Sequence, residues 1–346
     1  MKLLKLDKKY LRIIRNILAV AITLGLILYL IFRFKPTEIL AAITKISVWS
    51  IVIAISIMIT MFILKILRWH YILYKLDIKI SVLKTTELVL IGAFGASVTP
   101  AKIGDVVRAY YLSKWNGTKE TTSFFSAILD RIIDLISIGF FALLAIPFFI
   151  TQLEGVTRWS LVAGLVLIFV ITMLMFNSQI IRKIVTLLVK MRNRKKESTQ
   201  ETAEENDVIL DNSKPVKIIA DYYSHLTYFK AKNYLLLTLL TFLFWIILGL
   251  QVSVLISSMA EIQLTFQTLL TITGIMSIAA IVSLVPISIS GIGIRDATIT
   301  LLVFYSLQIG TEIAFSASLI QTTLNMIIPG IIGGILLLLR RKRRKK

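Results

Sequence analysis

The sequence predicts an all-α, polytopic integral membrane protein, with about six full spans and two re-entrant helical hairpins, or about eight hydrophobic segments, in one membrane domain covering residues 1–346. Three observations carry that prediction. The chain is 57% hydrophobic and 17% charged, with a mean hydropathy of +0.84; a soluble domain is about a quarter charged, so the apolar excess has to face lipid. Apolar runs near the ~20 residues that a spanning helix needs recur along nearly the whole chain. Finally, the 39 Lys and Arg residues, against 19 Asp and Glu, gather between those runs.

The first run, residues 16–32, meets Arg33 with no small-residue cleavage site before it, which predicts a retained span and not a signal peptide. The second is 46–64. Lys65, Arg68, Trp69 and Tyr71 follow it and read as a basic and aromatic belt at the membrane surface. Residues 88–99 are too short to cross and end in Pro100, which suggests a re-entrant hairpin. Residues 123–150 are long enough but carry Asp130, Arg131 and Asp134. Residues 160–176 and 234–258 are plain spans.

Between them, 177–233 predicts a cytoplasmic loop with a mixed-charge, disordered part at 192–211. The same loop holds an amphipathic helix at 216–230, either interfacial or docked on the domain. Residues 268–290 are broken by Pro286 and followed by Gly291 and Gly293, which suggests a second hairpin; 313–339 is the last span. Irregular backbone at membrane depth survives only where protein or water satisfies its N–H and C=O groups.

With the N-terminus inside, 31 of the 39 basic residues fall in cytoplasmic segments and only Arg33, Lys35, Lys45 and Arg158 outside. That bias predicts a multi-pass protein of the cell membrane with both termini cytoplasmic. It also accounts for the net charge of +20 without a nucleic-acid partner. There is no cysteine, and the two histidines, His70 and His225, are far apart. A thiolate nucleophile and a Cys-based zinc site are therefore excluded, and no metal or cofactor is expected. No nucleophile–base pair or Walker loop is visible, so the residues favour a non-enzyme and leave the question of catalysis open.

The two hairpins resemble each other. The first unit runs through Pro100, Gly104, Asp105, Gly117-Thr118 and Phe125-Ser126-Ala127; the second runs through Pro286, Gly293, Asp296, Gly310-Thr311 and Phe315-Ser316-Ala317. By the topology above they enter from opposite sides, so an inverted repeat is expected, the plan on which many transporters build a midplane site.

Charges within such segments are costly and usually mark function. Lys102, Arg108, Arg131 and Arg295 are candidate phosphate-binding residues, since arginine offers a bidentate fork. Asp105, Asp130, Asp134 and Asp296 are candidates for ion coupling or for a cationic head group. Asp130, Arg131 and Asp134 share a helical neighbourhood and read equally as a structural ion-pair lock. Pro100, Gly104, Pro286, Gly291 and Gly293 form the hairpin turns, where glycine lets the backbone approach a ligand. Arg68, Trp69, Gln321 and Asn325 are secondary positions.

At these residues the chain resembles the flippase-like family named for the transmembrane region of lysylphosphatidylglycerol synthase, the membrane half of the multiple peptide resistance factor. The motifs are Arg68-Trp69, Pro100-x-Lys102-x-Gly104-Asp105-x-x-Arg108, Asp130-Arg131-x-x-Asp134, and Pro286 followed by Gly291-x-Gly293-x-Arg295-Asp296. The resemblance implies a domain that moves aminoacylated or other polar-headed lipids between leaflets, without the separate synthase domain. The chain departs from the family at Gln321, where an arginine is frequent.

A lipid translocase is thus the expected function. The expected partners are anionic or aminoacyl phospholipids or a polyprenyl-phosphate-linked substrate, and a homo-oligomer is left open. The alternatives are the membrane part of a phosphatidylglycerol lysyltransferase, or of another lipid-modifying transferase, and a scaffold.

Overall fold

The computed structural model describes residues 8–100, 103–149 and 224–343. These residues are helical throughout, apart from turns and one isolated extended pairing. Helix α1 (Lys8–Arg33) ends where Lys35 adopts a φ of 55°. Pro36 then starts α2 (Pro36–Thr44) at the position where its missing N–H costs nothing, and the axis turns by 79°. Helix α3 (Val48–Lys75) is capped by Ser47, whose hydroxyl accepts the Ser50 N–H at 3.1 Å. At about 1.5 Å per residue its 28 residues extend about 42 Å, well beyond the apolar run that announces it.

Helix α4 (Val82–Ser97) stops just before Pro100, whose ring disfavours helical backbone in the preceding residue. A 3-10 turn (Ile103–Val106) and α5 (Val107–Asn116) bring the chain back. The fold-back is tight because Gly95 faces Gly104: a Cβ on either would collide with the other's carbonyl. Helix α6 (Glu120–Phe149) follows, then α7 (Ala231–Ala260) and α8 (Phe266–Val282). Every residue of α8 from Thr271 to Ala279 is buried, as expected of a helix apolar all round. Its turn back passes through positive φ at Ser290, Gly291 and Gly293 into α9 (Ile294–Leu307).

The last helical stretch comprises α10 (Thr311–Thr322), a π segment (Thr323–Ile327) and α11 (Ile328–Arg343). Pro329 explains the π turn. Lacking an N–H, it cannot serve the carbonyl four residues back, and the widened turn relieves its ring.

Among the described residues, three helical stretches are long and apolar enough to cross a membrane: Val48–Lys75, Ala231–Ala260 and Thr311–Arg340. The bent α1–α2 pair makes up to four. Helix α6 matches them in length but carries the charges anticipated from its sequence. The span expected at 160–176 lies outside the described residues, as do the 192–211 segment and most of the helix expected at 216–230. The described end of that last helix leaves helical geometry after residue 226.

Packing joins elements distant in sequence. Helix α4 packs most extensively on α11, and α8 on α6. Both contacts use glycine to bring backbones together, Gly333 against the Leu90 carbonyl and Gly274 against Ala145. The tips of the two hairpins meet: Pro100 and Ile289 form an antiparallel bridge, and the Ser290 N–H donates to the Thr99 carbonyl at 3.0 Å. Helix α1 lies on the second tip, with Thr23 Oγ1 accepting the Ile289 N–H at 2.8 Å.

Two large apolar cores result. One gathers Trp69, Ile72, Leu129, Ile133 and Leu237. The other gathers Met61, Ile138, Trp245, Leu248 and the buried face of α8. Arg68 on α3, Asp134 on α6 and Thr241 on α7 each fall between the buried residues that their helix gives to one core and those that it gives to the other.

Candidate functional site

That boundary is a ring of alternating charges. Asp130, 1% exposed, is ion-paired with Arg68 Nε at 2.6 Å and accepts a hydrogen bond from Arg108 Nη2 at 2.6 Å. Arg108 continues to Asp105 at 3.8 Å, and Asp105 is ion-paired with Arg131. Arg131 reaches Asp134 at 3.5 Å, and Asp134 closes the circuit to Arg68 at 3.6 Å. Three helices and the first hairpin thus contribute: α3 gives Arg68, the 3-10 turn gives Asp105, α5 gives Arg108, and α6 gives the other three. Spacing within α6 does the local work, since residues three and four apart share a helix face.

Neighbours fix the ring. Arg68 Nη1 donates to Thr241 Oγ1 at 2.9 Å, and Trp245 Nε1 donates to Asp134 at 3.1 Å. The Arg108 guanidinium lies 4.5 Å from the centre of the Trp69 ring, a cation–π contact. Trp69 Nε1 in turn donates to Ser126 Oγ at 3.3 Å. Lys65 stands beside the ring, 3.7 Å from Asp105.

The second hairpin brings different chemistry. Asp296 caps α9 by accepting the Gly293 N–H at 2.9 Å, and its other oxygen accepts Ser318 Oγ at 2.5 Å and Thr322 Oγ1 at 3.0 Å. Arg295 reaches Asp296 at 3.3 Å and also bonds Thr322, while its Nε has no hydrogen-bond partner. Where the first unit answers its aspartate with arginines, the second adds two hydroxyls to a single arginine.

Ring and second hairpin face a common cavity of about 150 Å³, room for a small ionic group with a few waters at ~30 Å³ each. Arg131 and Arg295 line it from the two units, with Lys65, Arg68, Asp134, Gln321 and Asn325. The remaining wall is mostly apolar: Met61, Phe62, Phe244, Trp245, Leu248 and Met326. Gln321 Oε1 is buried without a hydrogen-bond partner, whereas Asn325 donates to Gln251 Oε1 at 2.6 Å.

Most residues singled out from sequence therefore converge. Asp105, Arg108, Asp130, Arg131 and Asp134 form the ring, and Arg295, Gln321 and Asn325 share its cavity. Pro100, Gly104, Gly291 and Gly293 shape the tips, but Pro286 lies exposed at the outer end of its turn. Lys102 lies outside the described residues. The belt reading of Lys65, Arg68 and Trp69 is corrected. Arg68 and Trp69 are 5% and 0% exposed, because α3 continues past them and turns them toward α5 and α6. Sequence reasoning did not pick out Thr241, Trp245, Gln251, Ser318 or Thr322; the i, i+4 spacing of Thr241 with Trp245, and of Ser318 with Thr322, is the signal available. Among the described residues no group of three His, Cys, Asp or Glu side chains is arranged to hold a metal ion.

The family described as Lysylphosphatidylglycerol synthase TM region matches residues 16–333. The chain is 26% identical to a UPF0104 membrane protein of Methanocaldococcus jannaschii over 81% of each chain. It is 25% identical to a UPF0104 membrane protein of Pyrococcus horikoshii over 97% of this chain and 98% of that one.

Proposed function

We propose that this chain, which belongs to the family of the lysylphosphatidylglycerol synthase TM region, moves a polar-headed lipid between the two leaflets of the cell membrane. The observation that carries this reading is the cavity bordered by Ser290 of the second hairpin tip, whose wall combines the charged Arg131 and Arg295 with apolar Met61, Phe62, Phe244 and Leu248. Such a wall suits a molecule that is ionic at one end and oily at the other. The relatives' names say only that they are membrane proteins, so the transport step rests on the site.

The recurrence of Phe-Ser-Ala and the reciprocal packing of α4 on α11 and α8 on α6 support an inverted repeat. In that plan each unit supplies one arginine, and the cavity opens alternately to each side. The distribution of Lys and Arg supports cytoplasmic termini.

The test is flip of fluorescent phospholipid across vesicles holding the purified protein, read by quenching of the outer leaflet. Arg131→Ala is expected to slow it about tenfold or more, as the loss of one charge-assisted hydrogen bond of about 1.5–3 kcal/mol implies. Equal rates for the intact protein, Arg131→Ala and Asp105→Ala, all folded by size-exclusion, would sink the mechanism.

A further inference from the structure

The ring of three arginines and three aspartates is neutral, and so is the Arg295–Asp296 pair. Adding Lys65 leaves this cluster one positive charge in excess among the described residues. Its ammonium lies 3.7 Å from Asp105 Oδ1, while Oδ2 of the same carboxylate takes Arg131 and Arg108, so Lys65, Arg68, Arg108 and Arg131 share three carboxylates. Asp134 alone among the aspartates lines the cavity, and it is held by Arg131, Arg68 and Trp245. An ammonium entering here would meet four lining cations and no uncommitted carboxylate. A group with two negative charges would leave one unpaired in a low-dielectric site, where unpaired charge is strongly disfavoured.

We propose that the cavity selects a lipid whose head group carries a single negative charge, a phosphodiester bearing only uncharged substituents, and that Lys65 sets this selectivity. The proposal rests on the lipid-translocating reading above and narrows it: aminoacylated heads with a net positive charge and phosphomonoester heads, near −1.5 to −2 at pH 7, are both disfavoured. Lys65 is 20% exposed and sits one turn before Arg68 on α3, so its ammonium can reach the oxygens of a phosphate that Arg131 and Arg295 flank.

The experiment is retention of lipids by the purified full-length protein in native mass spectrometry. Equimolar phosphatidylglycerol, lysylphosphatidylglycerol, phosphatidylcholine and phosphatidic acid with matched acyl chains are offered, alongside water-soluble glycerophosphoglycerol. Phosphatidylglycerol is expected to be retained about tenfold over each other lipid. Lys65→Gln should erase that preference, Lys65→Arg should keep it, and Gln321→Arg, which adds a second cation at an unpartnered position, should shift it toward phosphatidic acid. Equal retention of lysylphosphatidylglycerol, or an unchanged preference in a folded Lys65→Gln protein, overturns the proposal. Glycerophosphoglycerol bound as well as the lipid overturns the lipid part of it. Because retention is read without transport, selective binding with no flip in vesicles would refute translocation and leave the charge selectivity standing.

Discussion

Asp130→Ala is expected to lower stability by about 3–5 kcal/mol, the range for removing one partner of a buried ion pair. The reason is that Asp130 serves two guanidinium groups at once, each at 2.6 Å. Without it, Arg68 and Arg108 face each other inside the protein, and the next carboxylates, Asp134 at 3.6 Å and Asp105 at 3.8 Å, are already engaged. Arg108, which does not line the cavity, cannot reach water without breaking the apolar core that holds Trp69 and Leu129. Heating detergent-solubilised protein and following the monodisperse peak by size-exclusion measures the effect. Asp130→Asn, which keeps an acceptor and loses the charge, should fall between. Removing Arg108 as well should recover part of the loss, because the two residues are coupled. An Asp130→Ala protein that melts like the intact one would mean the ring is not holding α3, α5 and α6 together.

Gly104→Val is expected to abolish accumulation of folded protein, an effect beyond the ~1–3 kcal/mol of ordinary overpacking. The added Cβ would run into the Gly95 carbonyl, which is backbone and cannot rotate away. The same turn is fixed by the Gly104 N–H donating to Thr99 Oγ1 at 2.8 Å and by that hydroxyl donating to the Gly95 carbonyl at 2.8 Å. Spreading it would also displace Asp105, the next residue, from Arg131. Gly25→Ala is the control, since a Cβ there meets nothing within 4 Å and the helix gains from alanine. Yield of monodisperse protein after membrane extraction reads both; normal yield from Gly104→Val would show that the tip can open without loss.

Much of this site could be read from the chain before its fold. Asp105, Arg108, Asp130, Arg131 and Asp134 stood out because charge inside an apolar run is costly enough to need a reason, and the tips were announced by Pro100 and the Gly291–Gly293 pair. Lys65 and Arg68 were misread because hydropathy cannot tell a cation facing lipid head groups from one facing a neighbouring helix. The difference lay in α3 running on to Lys75, with Leu64, Arg68 and Ile72 on one buried face. Helix α2 was overlooked because its nine residues are too few for a span, although Pro36 with Ile39 and Ala42 marks a short amphipathic turn. Which arginine meets which aspartate is a matter of helix–helix placement, and no spacing along one strand of sequence encodes it.

The bridge between Pro100 and Ile289, with the Ser290 N–H on the Thr99 carbonyl, is made by main chain alone. Apart from the glycines that the turns require and the Thr23 and Thr99 hydroxyls that bond the tips, evolution can therefore rewrite the side chains around it, but it cannot change the number of residues in either loop. Within this protein's kin, the other tip positions should tolerate substitution, and both tips should reject insertion or deletion: a gap of one residue slides carbonyl past amide and unfastens two segments almost 190 positions apart in the gene product.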